Sequence, residues 1–135
     1  MKIKRIAHIG VAVADTDNAH KFYTEMLGLP LDRQETLGEL KISFVPVGET
    51  SVELVQSTTD EGVMTKFIGK RGEGIHHIAY EVENIDEALA ELKAKGVPLV
   101  DQEARPGAHG ARIAFIHPKA TNGVLTELVD YSGGH

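Results

Sequence analysis

The chain carries the same short phrases twice. Arg5-Ile6-Ala7-His8-Ile9 near its start is echoed by Gly74-Ile75-His76-His77-Ile78, with His8 and His77 69 positions apart. Val52-Glu53-Leu54-Val55 is echoed by Thr126-Glu127-Leu128-Val129, with Glu53 and Glu127 74 positions apart. A duplication constrains the fold, because whatever one half forms the other must form too. Two copies at this period are too few and too long for a solenoid. Each half contributes one histidine and, on a later segment, one glutamate. If the halves pair about a pseudo-twofold axis, two histidines and two glutamates converge, an inventory that neither half supplies alone.

The punctuation repeats as well. Residues 6–13 alternate as a strand, with Ile9, Val11 and Val13 on one face and His8, Gly10 and Ala12 on the other. Asp15 and Asp17 offer N-cap oxygens to a helix carrying Ala19, Phe22, Tyr23, Met26 and Leu27 at helical spacing. Gly28 stops it before Pro30. In the second half Ile78, Tyr80 and Val82 share one face of a strand, and His77 and Ala79 the other. Asn84 or Asp86 caps a helix burying Ala88, Leu89 and Leu92, and Gly96 stops it before Pro98. Strands are then expected at about 31–36, 40–47 and 51–56, and at about 99–102, 111–116 and 124–131. A short helix at 61–70 bridges the halves. The order is βαβββ twice, with no flexible linker between.

A length of 135 residues suits one domain, spanning 1–135, with modules at about 1–60 and 72–135. With 41% apolar residues, 5% aromatics and no tryptophan, aliphatic side chains must fill the core. The net charge of −6 argues against a dedicated nucleic-acid binder, which needs a clustered basic face. It leaves room for an anionic small molecule met by a local group of Lys and Arg. The absence of cysteine excludes a disulfide scaffold, a thiolate-bound metal and a cysteine nucleophile. No apolar run suggests a signal peptide or a membrane span, so a cytoplasmic protein without membrane contact is expected.

Strand alternation puts His8, His77, Glu53 and Glu127 on faces that could line one concavity. A glutamate in an apolar strand is costly to bury as an unpaired anion, and a divalent cation offsets that cost. Two imidazoles and two carboxylates form a mixed set that suits Co, Mn, Fe, Ni or Zn better than calcium. A lone strand histidine is usually a satisfied core or surface residue, and a lone strand glutamate usually faces solvent. Their duplication in register favours the metal reading. Other groups carry less. Pro106-Gly107-Ala108-His109-Gly110 is a glycine-rich turn, Lys119 follows His117-Pro118, and Lys66, Lys70 and Arg71 read as a solvated face. No dinucleotide fingerprint, phosphate-loop lysine motif or nucleophile elbow is present.

At this point the chain resembles the vicinal oxygen chelate superfamily, which includes glyoxalase I, extradiol dioxygenases, fosfomycin-resistance enzymes and bleomycin-binding proteins. Within it the chain is most similar to the methylmalonyl-CoA epimerase family. The resemblance rests on His8-Ile9-Gly10-Val11-Ala12-Val13, Phe22-Tyr23 through Gly28, and Gly74-Ile75-His76-His77-Ile78-Ala79 with Asp86-Glu87-Ala88. Its most specific stretch is Arg112-Ile113-Ala114-Phe115-Ile116-His117-Pro118-Lys119 followed by Gly123-Val124-Leu125-Thr126-Glu127-Leu128.

The resemblance implies an α+β fold of paired βαβββ modules, a cupped mixed sheet around a metal. It implies ligation by His8, Glu53, His77 and Glu127, with Co2+ foremost among Co2+, Zn2+, Mn2+, Ni2+ and Fe2+. It also implies Glu127 as a base, methylmalonyl-CoA as the acyl-CoA substrate, and a homodimer. Some family members take a second glutamate from the third strand, where this chain has Lys41, with Glu39 two residues earlier. Lys41, Gly107, Gly110, Arg112 and Lys119 are candidates for holding substrate, and Val45, Val55, Ala79 and Leu125 for lining the acyl pocket. The alternatives are a glyoxalase-type isomerase or lyase, a dioxygenase of the same fold, and a metal-free ligand-binding resistance module.

Overall fold

The computed structural model describes residues 1–132. Its elements run β1 (Ile3–Ala12), α1 (Thr16–Lys21), β2 (Arg33–Leu37), β3 (Leu40–Val47), β4 (Thr50–Ser57), α2 (Val63–Arg71), β5 (Gly74–Val82), α3 (Ile85–Ala94), β6 (Arg105–Pro106), β7 (Arg112–Ile116) and β8 (Thr126–Asp130). The βαβββ order therefore occurs twice. The chain divides into two compact units, residues 8–76 and residues 1–7 with the chain from His77 onward. β1 and β5 each give residues to both units. Among the described residues no helix is long and apolar enough to cross a membrane.

In the unit of residues 8–76 the strand order is β2-β3-β4-β1. β2, β3 and β4 pair antiparallel, while β1 lies parallel to β4. α1 begins where Asp15 Oδ1 accepts from the Asn18 amide at 3.2 Å, as the sequence anticipates. Gln56 Oε1 on β4 accepts the Thr16 amide at 3.0 Å and ties the helix start to the sheet. Val13, Val45 and Leu54 form the core under α1, with Ala19, Tyr23 and Leu29 against them.

The helix departs from expectation after Lys21. Residues Phe22–Met26 widen into a π-helical turn, closed by the Leu27 amide on the Phe22 carbonyl at 3.2 Å. Thr24 contributes to the disturbance, because its hydroxyl donates to the His20 carbonyl at 3.2 Å. The wider turn rotates the apolar stripe outward. Phe22, Met26 and Leu27 are 56%, 74% and 55% exposed, so only Ala19 and Tyr23 of the expected five reach the core. Gly28 then stops the segment at φ 71°, and Gly96 does the same after α3 at φ 75°.

In the other unit the order is β5-β8-β7-β6, with β5 parallel to β8 and the rest antiparallel. The start of β1 runs beside the end of β5, where the Glu83 amide reaches the Lys2 carbonyl at 3.0 Å and Arg5 Nε meets Glu81 Oε1 at 2.6 Å. α3 lies on a core of Val82, Ile85, Ala88, Leu89, Ala114, Ile116 and Leu128, with Leu92 packed at its margin. Asn84 caps α3 by accepting the Glu87 amide at 3.1 Å. The strand expected at 99–102 is reduced to a single bridge, Leu99 to Ile116, and pairing resumes at β6. Asp101 causes the break: its Oδ2 takes the Phe115 amide at 2.8 Å, which substitutes a side chain for strand backbone.

Asp130, at the end of β8, is 5% exposed and accepts the Ile85 amide at 2.9 Å and the Ser132 amide at 2.8 Å. Burial raises its carboxyl pKa, but the Ser132 hydroxyl, the two amides and Arg112 outweigh burial and hold it below the ordinary 3.8. A carboxyl depressed in the folded state stabilises the fold above its unfolded pKa and loses that contribution as pH falls through the folded value. Asp130→Ala is therefore expected to cost about 1–3 kcal/mol at neutral pH by urea unfolding, from the two orphaned amides. The gap to the parent protein should narrow only below about pH 4. A gap that is constant down to pH 2 would contradict this.

Candidate metal centre

Each unit buries its own histidine–carboxylate pair, and the two pairs are built alike. In residues 8–76, parallel β1 and β4 set Gly10 opposite Glu53, so the glutamate lies across from the position two beyond His8. In the other unit, parallel β5 and β8 set Ala79 opposite Glu127, again two beyond the histidine, His77. Period-two alternation then puts each imidazole on the same face as its carboxylate. His8 Nδ1 lies 3.1 Å from Glu53 Oε2, and His77 Nε2 lies 3.1 Å from Glu127 Oε1. His8, Glu53, His77 and Glu127 are only 5%, 6%, 6% and 4% exposed.

The surroundings are apolar. Phe44 of β3 is the cross-strand neighbour of Glu53, and Phe115 of β7 that of Glu127. The His77 ring meets Phe115 edge-on, with centroids 5.6 Å apart. Ala79, Ile113 and Val129 continue that surface beside Glu127. A carboxylate held this far from water needs a counter-charge and filled lone pairs. One imidazole supplies one contact. The imidazole nitrogen and the carboxylate oxygens of each pair are donors that first-row divalent ions accept, so the chemistry of each pair fits such an ion.

The family pattern described as the Glyoxalase/Bleomycin resistance protein/Dioxygenase superfamily matches residues 7–115. The chain belongs to this superfamily. An uncharacterized protein of Bacillus subtilis (strain 168) is 40% identical over 133 residues, which cover 97% of this chain and 95% of that protein. The mitochondrial methylmalonyl-CoA epimerase of Mus musculus is 38% identical over 130 residues, 94% of this chain and 73% of that protein. A solved methylmalonyl-CoA epimerase in complex with methylmalonyl-CoA and NH4+ has a TM-score of 0.92 at 32% identity and covers 99% of both chains. The mixed-sheet α+β architecture of paired βαβββ modules expected from the resemblance is the superfamily's own.

Other residues singled out in the sequence sit elsewhere. His76 turns from His77 and packs its ring on Phe67 of α2 at 4.9 Å. Lys41 pairs with Gln56 across β3 and β4, one position out of phase with Glu53, so it points to the α1 side of the sheet. There its Nζ meets Asp17 Oδ2 at 2.8 Å, and this bond, followed by that from Gln34, lowers the Asp17 pKa. Glu39 serves the start of α2: Ser57 donates to its Oε2 at 3.2 Å and itself accepts the Met64 amide at 2.8 Å. Among the expected pocket-lining residues, Ala79 and Val55 share a face with the glutamates, whereas Val45 packs in the α1 core.

Arg112 is turned to the α3 side of its sheet, where Asp86 grips its guanidinium at 2.8 and 2.9 Å. Gly107 is needed for packing, since a Cβ there would come within 2.6 Å of Ile113. Gly110 closes the following turn at φ 69°. Lys119 is exposed on a 3₁₀ turn whose start is capped by His117, with the Lys119 amide 3.0 Å from Nδ1. The two phenylalanines beside the glutamates went unnoticed in the sequence. The signal was there: counting strand faces across the third strand of each module selects Phe44 and Phe115.

If the pairs receive a cation, chelator-stripped protein should gain thermal stability on addition of Co2+. His8→Ala and His77→Ala should each lose most of that gain, whereas His76→Ala should keep it. An equal gain in all four proteins, read by differential scanning fluorimetry, would remove both histidines from the ligand set.

Proposed function

We propose that this protein interconverts (2R)- and (2S)-methylmalonyl-CoA by removing and returning the α-proton. The observation that carries the reading is the pair of buried His–Glu units in identical register, in a chain similar over nearly its whole length to methylmalonyl-CoA epimerases. His8, Glu53, His77 and Glu127 together would hold a divalent ion. When bound, that ion supplies Lewis-acid polarisation of the thioester carbonyl and of the free carboxylate.

The protein's own residues do the rest. Glu127 is the base. Its carboxylate takes the α-proton, the C–H electron pair passes into the thioester as an enolate, and a proton of solvent origin is returned to the opposite face while Glu127 later gives its own to solvent. His77 holds Glu127 in place at 3.1 Å, and Phe115 closes off its cross-strand side. Ala79, Ile113 and Val129 give the reacting carbon an apolar floor, which keeps water from the carbanion. Glu39 and Lys41 are both engaged by other partners, so the second proton-transfer role does not fall to either from its observed position.

The test is incubation with (2R)-methylmalonyl-CoA in D₂O, following α-deuterium and optical activity with and without chelator. Chelator-sensitive exchange with racemisation is expected. Absence of exchange by folded, metal-loaded protein would reject the epimerase and favour glyoxalase-type chemistry or a binding module. Glu127→Gln should lower exchange by roughly 10²–10⁴-fold, the usual worth of a positioned acid–base group, with an unchanged circular dichroism spectrum. A fully active Glu127→Gln protein would sink the base role.

A further inference from the structure

The phenylalanine beside each buried glutamate is held differently in the two units. In residues 8–76, Phe44 sits in a regular ladder: Arg33 of β2 is its partner, and the Asp32 amide donates to its carbonyl at 2.9 Å. In the other unit the strand expected at 99–102 is reduced to one bridge, and Asp101 takes its place beside Phe115. Asp101 Oδ2 accepts the Phe115 amide at 2.8 Å, while the amides of Val100 and Asp101 donate to the Phe115 carbonyl at 2.9 and 3.2 Å. Both backbone polar groups of Phe115 thus point away from β8. Its pairing with Glu127 is therefore of the non-hydrogen-bonded kind, in which facing side chains come closest.

The same carboxylate has a second task. Asp101 Oδ1 accepts from Arg105 Nε at 3.1 Å, and the Arg105 guanidinium carbon lies 5.4 Å from the Phe115 ring centroid. One oxygen fixes the backbone that carries the ring, and the other fixes the cation beside it. The ring in turn meets the His77 imidazole edge-on at 5.6 Å, and His77 Nε2 lies 3.1 Å from Glu127 Oε1. A backbone carbonyl from a regular strand would satisfy the Phe115 amide equally well, but it would bring no charge for Arg105. An acidic side chain at this edge is more than a strand substitute, and it occurs in the unit that holds Glu127.

We infer that Asp101 is a positioning residue for Glu127, acting through Phe115 on the His77 imidazole that orients the carboxylate. The inference rests on the reading above in which Glu127 removes the α-proton. A reacting group works only when held within about 0.5 Å and 10–20° of its productive geometry. Phe115 packs on His77 and faces Glu127 across the ladder, so a shift of its backbone is carried to both.

The experiment measures kcat and KM for (2R)-methylmalonyl-CoA from α-deuterium exchange by metal-loaded protein. Asp101→Ala should lower kcat about tenfold and leave KM within about twofold, the lower end of what losing an outer supporting partner costs. Asp101→Asn keeps an acceptor for the Phe115 amide but loses the charge that holds Arg105, so it should fall between Asp101→Ala and the parent protein. Phe115→Leu should match Asp101→Ala. The double variant should be within about twofold of the slower single variant, whereas independent effects would multiply to about a hundredfold. Asn84→Ala, which removes the α3 cap in the same unit, should lower thermal stability and leave kcat unchanged. A second readout is independent of activity. With Zn2+ added, Asp101→Ala should shift the NMR signal of the His77 Cε1–H, which lies in the ring current of Phe115, and Asn84→Ala should not. Parental kcat in Asp101→Ala, a multiplicative loss in the double variant, an unmoved His77 signal, or an equal kcat loss in Asn84→Ala would each overturn the positioning role and leave Glu127 as the base. Parent protein that catalyses no exchange rejects the base and the positioning role together.

Discussion

Two carboxylates buried beside imidazoles set the terms for this protein. Glu53 and Glu127 lie mid-strand among apolar neighbours, almost without contact with water. Such a group costs several kcal/mol unless its charge is met. Each is met first by a histidine at 3.1 Å, and the rest of each sheet serves to hold that contact. The parallel pairing of the first and last strands of a module matters here. It is the only ladder in the module that puts a histidine early in the chain beside a glutamate some 45–50 residues later, and it fixes the same two-residue offset in both copies. A one-residue slip in either ladder would turn the glutamate to the helix side and leave its histidine without a partner.

The consequence for chemistry is economy of parts. A βαβββ module has one parallel ladder and therefore room for one such pair. Duplication gives the second pair without a new fold. It also explains why the helices, turns and caps repeat while the outer surfaces do not. Asp15 and Asn84 cap the two helices in the same way, and Gly28 and Gly96 stop them in the same left-handed conformation. These features hold the ladder geometry. The outer strands are free to differ, and they do: β2 has five residues and β6 only two.

What was legible in the sequence follows the same division. The duplicated histidines and glutamates, their faces, the caps and the helix stops are local signals of period two or 3.6, and each was in place. Three features were set by side chains competing with backbone, which periodicity does not see. Thr24 bonds back to His20 and the helix opens into a π turn, exposing Phe22, Met26 and Leu27. Asp101 takes the Phe115 amide, and the strand expected at 99–102 yields to β6. Asp86 takes Arg112, and an arginine in the most family-specific stretch of the sequence faces α3. Lys41 shows a different limit. The resemblance set it at the third-strand position where some family members take a second glutamate, but the observed register places it out of phase with Glu53.

A net charge of −6 sits uneasily with a polyanionic substrate, and the structure resolves the tension locally. Several cations are spent in ion pairs: Lys41 with Asp17 and Arg112 with Asp86 on the helix-covered faces, and Lys95 with Glu91 along α3. Arg33 and Arg105, paired with Glu35 and Asp101, are in addition stacked on the Phe44 and Phe115 rings next to the glutamates. A phenyl face orients a guanidinium without neutralising it, whereas a carboxylate partner does both. The long-range field of an acidic protein repels a phosphate, yet that field is screened within about 8–10 Å at ordinary ionic strength. Inside that distance a single oriented cation outweighs the distant net charge. The anion is then recognised at close range rather than steered from afar, and in such a protein overall charge predicts solubility better than it predicts the substrate.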